Sequence, residues 1–199
     1  MISRSDSISL FRLLARALSY PERDYVGQIQ DVIGNVRLEL WDDPNLPLSD
    51  LIEELGQLAQ LPLDQVQGEH TRLFVAAYPR VPCPPYESAY REGQLSGDAA
   101  GEVDRLYRRW GLSVDGEEVD HAGAELEFAA FLLAMNTTDS LSAAGKFFSE
   151  HLHAWLPGFA TDLARDGRLG FYRALGTLLA VTLEAGVELP RSSCNPRGH

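Results

Sequence analysis

Apolar residues recur at intervals of three and four along nearly the whole chain, which is the spacing of side chains that share one face of an α-helix. Runs in which β-branched and polar residues alternate, the pattern of a half-buried strand, are nearly absent. The sequence therefore predicts an all-α fold. With 199 residues, 45% of them hydrophobic, the chain can bury one sizeable core, so we expect a single-domain bundle of about eight or nine helices.

Prolines, glycines and capping residues set the predicted helix boundaries. Pro21 and Pro62 end the helices that precede them, because proline disfavours helical backbone in the residue before it. Pro157, between Leu156 and Gly158, predicts an interruption in a long helix near the C-terminus. The predicted helices span about 5–20, 22–41, 48–61, 64–77, 102–110, 120–135, 140–155 with a continuation to 165, and 169–184.

Two further segments are polar. The sequence Ser-Val-Asp-Gly-Glu-Glu at 113–118 predicts a linker between helices. From Pro190 onward the composition again becomes polar, which predicts a loose end of the chain. We therefore expect a helical domain at 1–190 and a flexible tail at 191–199.

The stretch 82–90 (PCPPYESAY) is the first candidate for a functional site. Its three prolines forbid helix and leave backbone carbonyls without partners, while Tyr86 and Tyr90 supply aromatic surface and Glu87 a charge. Loops of this composition usually contact a ligand. The alternative, that the segment only crosses between helices and buries its tyrosines in the core, fits the residue types equally well.

The pair Asp120-His121, with Glu125 one helical turn later, is the second candidate. A carboxylate beside an imidazole suits acid–base catalysis, a metal site or a polar grip on a peptide. Alternatively, Asp120 only caps a helix, and His121 is a surface histidine or one whose hydrogen bonds are satisfied within the fold. A metal site is disfavoured because His151 and His153, two residues apart on a helix, point to different faces. We predict no metal and no cofactor.

Several functions are disfavoured by features that the sequence lacks. It has no serine in a Gly-flanked nucleophile elbow and no phosphate-binding Gly-x-x-x-x-Gly-Lys loop, so we do not expect an enzyme. The net charge of −12 argues against nucleic acid and is compatible with a basic peptide or protein partner. Cys83 and Cys194 are too few for a disulfide framework and are predicted to be reduced thiols.

The longest apolar run, at 128–135, is far shorter than the roughly 20 residues that a membrane span requires. The first six residues lack the apolar core of a signal peptide. We therefore expect a cytoplasmic protein without a membrane span.

The helix predicted at 64–77 carries His70 and Phe74 directly into the proline-rich stretch. Together with the Asp-His pair, these residues predict an apolar groove with an acidic rim, which would suit an apolar peptide segment next to a pair of arginines. The residues of this predicted groove are His70, Leu73, Phe74, Tyr86, Glu87, Tyr90, Asp120 and His121.

Five short motifs also follow one another along the chain. They are Glu69-x-x-x-Leu73-Phe74, Pro82-x-Pro84-Pro85-Tyr86-Glu87-Ser88-x-Tyr90, Asp120-His121 with Glu125-Leu126-x-Phe128, His151-Leu152-x-x-Trp155-x-x-x-Phe159, and Phe171-Tyr172-x-x-Leu175. In this order they are similar to the motifs of the TorD/DmsD/NarJ-type chaperones, the redox enzyme maturation proteins. The resemblance covers nearly the whole length.

The resemblance implies an all-helical TorD-like fold and a binding function. Such chaperones bind the twin-arginine leader peptide or the apo catalytic subunit of a molybdenum-cofactor oxidoreductase in the cytoplasm, until the cofactor is in place and the enzyme is exported. The peptide site that the resemblance implies consists of Leu73, Phe74, Pro85, Tyr86, Glu87, Ser88, Tyr90, Asp120 and His121. His70 is a departure, since some relatives have tryptophan there, and it makes the groove more polar.

Two alternatives remain open at this stage. One is a subunit-assembly or cofactor-delivery factor of the nitrate reductase chaperone type, which ignores leader peptides. The other is a small helical enzyme that uses Glu87, Asp120 and His121 for acid–base chemistry. Relatives that exchange helices make 113–118 a candidate hinge between two lobes, so the chain is expected to be a monomer or a domain-swapped dimer.

Overall fold

The computed structural model describes residues 1–37, 40, 43–114 and 119–189. Within these ranges the secondary structure is helical, apart from two isolated β-bridges, so the predicted all-α fold is confirmed. The helices are α1 (Arg4–Ala17), α2 (Tyr25–Ile33), α3 (Leu48–Leu58), α4 (Leu63–Phe74), α5 (Glu87–Glu92), α6 (Asp98–Arg109), α7 (Ala122–Met135), α8 (Thr138–Phe147), α9 (His153–Asp166) and α10 (Gly170–Ala185).

Helices α8 and α9 are two parts of one long rod. They are joined by a single π-helical turn at Phe148–Leu152. Pro157 lies inside α9, so the interruption predicted at 156–158 is wrong. A helix tolerates a proline when packing compensates for one lost backbone hydrogen bond. Here the helix is irregular in the π-helical turn that precedes Pro157, and not at the proline. If α8, the π-helical turn and α9 are counted as one helix, the described residues form nine helices, which agrees with the predicted eight or nine.

The core is built by two helix pairs, α1 against α7 and α9 against α10, and α3 also packs against α10. Buried apolar side chains form one continuous cluster that reaches from Ile2 to Leu183. Helix α7 is apolar around most of its circumference, which explains its central position. Burial of this continuous surface is the main source of stability.

Several predicted boundaries are corrected by the structure. Helix α2 does not reach residue 41 but ends at Ile33, because Gly34 and Asn35 turn the chain. Helices α3 and α4 each end three residues earlier than predicted. Helix α6 begins four residues earlier than predicted, at Asp98, whose backbone N–H and that of Ala99 donate to the carboxylate of Glu92.

Helix α5 was not predicted. The prolines at 82, 84 and 85 stop helical structure only up to Tyr86, and the six residues from Glu87 to Glu92 then form a short helix that ends at Gly93 in a left-handed conformation. Glu87, Ser88 and Tyr90 therefore lie on a helix and not in a loop. Their side chains leave the proline segment in different directions for this reason.

Three predictions fall on residues outside the described ranges: the central part of the linker and proposed hinge (115–118), the tail (191–199) and Cys194 in that tail. Cys83 is a buried free thiol. None of the helices described by the structure has the length and apolarity needed to cross a bilayer. The division into two lobes and the oligomeric state stay predictions.

Candidate functional site

A cavity of about 440 Å³ opens where the end of α1, the end of α4, the proline segment and the start of α7 meet. Aromatic and aliphatic side chains supply most of its wall. It is lined by Ala15, Arg16, Leu18, Ser19, Tyr20, His70, Phe74, Val75, Pro85, Tyr86, Val114, His121, Gly123, Ala124 and Glu127.

Backbone hydrogen bonds hold the proline segment between α4 and α7. The Cys83 N–H donates to the carbonyl of Leu73 at the end of α4, at 3.0 Å. On the other side, the Ala122 N–H donates to the carbonyl of Pro85 at 2.8 Å, and the Glu87 N–H donates to the carbonyl of Asp120 at 3.0 Å. Through these bonds, backbone groups of the proline segment that have no partner in regular secondary structure are paired with α4 and with the start of α7. The bonds also fix Tyr86 beside His121.

The Asp120-His121 pair caps two different helices. The Asp120 side chain accepts from the Ser88 N–H at 2.8 Å, so it caps α5, and the interpretation that Asp120 caps its own helix is wrong. The residue that caps α7 is His121, whose Nδ1 accepts from the Gly123 N–H at 3.0 Å. Burial lowers the pKa of His121 to about 4, although the negative charge of Asp120 acts to raise it. The ring is therefore neutral at pH 7.

His70 lies at the bottom of the cavity with 6% of its surface exposed. Its ring packs edge-on against Phe74 at 4.7 Å and Tyr20 at 5.2 Å between centroids. Burial lowers the pKa of His70 to about 4, and the neighbouring His121 contributes in the same direction. The ring therefore acts as a neutral polar group inside an aromatic wall.

Glu87 is fully buried beneath the cavity and does not line it. It accepts from Arg91 at 2.6 Å and from Nδ1 of His151 at 2.9 Å. Burial opposes ionisation, but the hydrogen bonds and charges of His151 and Arg91 outweigh it and lower the pKa of Glu87. The π-helical turn between α8 and α9 carries His151 to this position.

The ten residues that were predicted for the groove or implied by the resemblance separate into three groups. Five of the ten line the cavity: His70, Phe74, Pro85, Tyr86 and His121. Glu87, Ser88, Asp120 and Leu73 are buried beneath it. Tyr90 points away toward α9, where its hydroxyl donates to Asp162 at 3.0 Å and its ring packs on Trp155.

The predicted acidic rim is corrected accordingly. Glu87 and Asp120 cannot form it, because their carboxylates are buried in contacts with neighbouring elements. Among the residues that line the cavity, the charged side chains are Arg16 and Glu127. The described ranges contain no group of three or more metal-ligating side chains.

Sequence patterns missed the contribution of α1 and its C-terminal extension. Tyr20 is half exposed at 49%, lies at the mouth of the cavity and covers His70. Arg16, Leu18 and Ser19 line the same wall. An aromatic residue directly before Pro21, at the predicted end of a helix, is the one local signal that could have indicated this surface.

Comparisons with known proteins agree with the fold. A family model described as nitrate reductase delta subunit matches residues 41–161. The chaperone protein TorD of Vibrio cholerae serotype O1 is 29% identical over 151 residues, or 67% of each chain. TorD of Actinobacillus succinogenes is 30% identical over 142 residues, or 68% of this chain and 72% of that one.

A third relative is the Tat proofreading chaperone DmsD of Salmonella typhi, 32% identical over 117 residues, which cover 56% of this chain and 55% of that one. Among solved structures, one described as a redox enzyme maturation protein from Archaeoglobus fulgidus superposes with a TM-score of 0.63. It is 24% identical and covers 86% of this chain and 91% of its own, so the two share the fold.

Proposed function

Because this chain belongs to the nitrate reductase delta subunit family, and its relatives are TorD and DmsD chaperones and not enzymes, we propose that it is a cytoplasmic chaperone for a molybdenum-cofactor oxidoreductase. It would bind the twin-arginine leader peptide of the apo catalytic subunit, or the subunit itself, until the cofactor is inserted. It would then release the enzyme for export.

The cavity between α1, α4 and α7 carries this proposal. Its volume of about 440 Å³ suits a few apolar side chains, and Tyr20, Phe74 and Tyr86 offer aromatic contacts of the kind that dominate peptide recognition. Phe74, Pro85, Tyr86 and His121 come from the motifs that resemble those of the family. An apolar leader segment would bury its side chains here.

Charge supports a basic ligand. The net charge of −12 attracts the arginine pair of a leader, and Glu127 lies exposed at the cavity wall. A carboxylate binds the planar guanidinium group through two parallel hydrogen bonds, which an ammonium group cannot form. We therefore expect an Arg-Arg leader to bind more tightly than its Lys-Lys counterpart.

Isothermal titration of the full chain with leader peptides of candidate molybdoenzymes tests the proposal. We expect a micromolar Kd, on the order of 8 kcal/mol, which is weak enough for the folding client to displace the chaperone. Tyr20→Ala should weaken binding about tenfold, because it removes a ring from the mouth of the cavity. Leu95→Ala is the matched control, since Leu95 is similarly exposed at 60% and does not line the cavity.

A second candidate follows from the description of the family model itself. That description names a subunit of nitrate reductase, so assembly of the enzyme itself is the second candidate function. If every leader gives no heat with the folded protein, while an apo catalytic subunit lacking its leader is captured, the assembly-factor function replaces the leader-binding one. Loss of binding in both Tyr20→Ala and Leu95→Ala would contradict the cavity as the site.

A further inference from the structure

The loop that joins α4 to α5 leaves the cavity wall and returns to it. Val75 at its start and Pro85 near its end both line the cavity. A backbone hydrogen bond closes the loop at its base, because the Cys83 N–H donates to the Leu73 carbonyl at 3.0 Å. Tyr78 is three residues from Val75, so their Cα atoms are at most about 11 Å apart. The middle of the loop therefore stays close to the cavity.

This loop presents apolar side chains to solvent. Tyr78 is 100% exposed, so its ring packs against nothing among the described residues, and Val75 is 61% exposed. Tyr20, on the α1 side of the cavity, is half exposed as well. Single exposed apolar residues are ordinary, but several of them around one opening are typical of a surface that binds a partner.

The cavity is too small for the whole apolar part of a leader peptide. A cavity of about 150 Å³ holds one benzene-sized group, so the 440 Å³ measured here hold about three such side chains. The apolar stretch of a signal peptide has about 7 to 15 residues. Several apolar residues of a bound leader must therefore lie outside the cavity, where apolar surface beside the opening would shield them from water.

We propose that the loop between Val75 and Pro85 is a second contact for the leader, in which the Tyr78 ring covers the part of the apolar stretch that extends beyond the cavity. This inference rests on the proposed function and adds a residue that discriminates among leaders. The cavity alone would hold a short apolar stretch, whereas a longer one would also gain the contact with Tyr78. Tyrosine suits this role because its ring buries a large apolar area while its hydroxyl stays hydrated.

Isothermal titration with two leaders tests the contact. One leader has its full apolar stretch, and in the other this stretch is shortened to about three residues, the number of side chains that the cavity holds. Tyr78→Ala should weaken binding of the full leader about 5- to 10-fold and leave binding of the shortened leader unchanged. Tyr78→Phe, which keeps the ring, should bind both leaders as the native protein does. Tyr20→Ala should weaken both, since Tyr20 lines the cavity itself.

Arg80→Gln is the matched control in the same loop. Arg80 is exposed like Tyr78 and lies two residues away, but it has no ring. The substitution also removes a positive charge that repels a basic leader. We therefore expect Arg80→Gln to bind the full leader at least as tightly as the native protein does.

Nitration of tyrosines in the native protein gives a readout that needs no variant. Trypsin cleaves after arginine, which leaves Tyr78 as the only tyrosine in the peptide 73–80 and Tyr20 as the only one in 17–23. A saturating full leader that contains no tyrosine should slow nitration of Tyr78 at least about fivefold, because the contact excludes water and reagent. The shortened leader should protect Tyr20 and leave Tyr78 reactive.

The outcomes separate the loop contact from the proposed function. If the full leader binds but Tyr78 is nitrated at its free rate in the saturated complex, the loop contact is overturned and leader binding stands. The same holds if Tyr78→Ala weakens both leaders equally. Protection of Tyr78 that rises with protein concentration in the absence of leader would indicate contact with a second copy of the chain and would also overturn it. If no leader binds the folded protein, both proposals fail.

Discussion

Two buried carboxyl groups beneath the cavity are held in opposite protonation states. Burial raises the pKa of Glu125 and the charge of Glu87 raises it further, so Glu125 is protonated. Its Oε2 atom accepts from the Trp155 ring N–H at 3.0 Å. Glu87 stays ionised because Arg91 and His151 both donate to it. The two carboxyl groups together therefore carry one negative charge, on Glu87, and Arg91 and His151 stabilise it by donating hydrogen bonds.

Glu125→Gln should change the free energy of unfolding by less than about 1 kcal/mol at pH 7. The amide keeps a carbonyl oxygen for the Trp155 ring N–H and, like the protonated carboxyl, places no second negative charge near Glu87. Glu87→Ala should lower the free energy of unfolding by about 3 kcal/mol, because the buried His151 loses its partner in the interior. Urea denaturation at pH 7 measures both values. Equal losses in the two variants would contradict the assigned protonation states.

His70 and His121 make stability depend on pH. Each has a pKa of about 4 in the folded chain, below the usual value of 6.5, since burial disfavours the charged ring. As pH falls below 6.5, the unfolded chain takes up protons that the folded chain does not, so stability is lost toward pH 4. Between pH 6.5 and pH 5 the loss is up to about 2 kcal/mol for each histidine.

His121→Asn isolates one of these two contributions. Asparagine keeps an acceptor for the Gly123 N–H and cannot titrate. We expect similar free energies of unfolding for both proteins at pH 7.5, and a higher value for the variant than for the native protein at pH 5, since the raised pKa of Glu125 affects both proteins alike. Urea denaturation at the two pH values measures the difference. The carboxyls whose pKa is lowered lose their contribution only below about pH 4.5, outside this window.

At the scale of helices, α9 and α10 approach each other closely at Gly176. A Cβ atom placed there would lie 2.6 Å from the Ala164 nitrogen and 2.7 Å from the Ala160 oxygen, both main-chain atoms that cannot move independently. The absence of a side chain lets the two helices approach closely and bury their apolar faces. No other residue type fits without separating them.

Gly176→Ala should therefore lower the free energy of unfolding by about 2 to 3 kcal/mol, because the added methyl group forces the helices apart. Gly68→Ala in α4 is the matched control, with no atom within 4 Å of the new Cβ. It should raise stability by about 0.5 to 1 kcal/mol, since alanine favours helix more than glycine. Thermal or urea unfolding of the two variants gives the comparison. A neutral Gly176→Ala would show that the contact can relax.

Glu69, the first residue of the motif that ends α4, positions an element and does not line the cavity. Its carboxylate accepts from Arg72 and from the Arg168 N–H, each at 2.7 Å, and Arg72 also donates to the Asp166 carbonyl. These bonds fasten α4 to the connection between α9 and α10. The position of Phe74 at the cavity wall follows from this anchoring.

At the scale of the whole molecule, the net charge of −12 should act on association. A long-range negative field speeds the approach of a basic leader, and salt screens it over about 10 Å at 0.1 M. Raising NaCl from 50 to 500 mM should slow the association rate several-fold and leave the dissociation rate nearly unchanged, because short-range contacts set the latter. Stopped-flow fluorescence with a labelled leader measures both rates. A leader with its arginines replaced by glutamine should lose the salt dependence.

The sequence was sufficient for the fold class, since the helical spacing of apolar residues and the positions of Pro21, Pro62 and Gly111 are local signals. It was insufficient for α5, whose six residues follow a proline segment and carry no apolar repeat of their own. Neither the end of α2 at Ile33 nor the π-helical turn was predicted. Both depend on how neighbouring helices pack, and the helix propensities of individual residues carry no information about that packing.

For the site, the motifs identified residues that belong to one region, but not which way their side chains face. Glu87 and Asp120 have the residue types of an exposed acidic rim, and only the folded chain shows them paired with His151 and the Ser88 N–H. Tyr20 and Arg16 carried no motif and nevertheless line the cavity. A side chain's direction follows from its helix phase and its neighbours.

The amino-acid sequence by itself determined the all-α class, most of the helices, the charge of the molecule and its resemblance to a chaperone family. These properties reside in composition and in spacings within a few residues. Only the tertiary structure decided which candidate residues share a cavity and which are buried beneath it. Those choices depend on contacts between residues up to about a hundred positions apart, such as Glu69 with Arg168, and no local pattern specifies them.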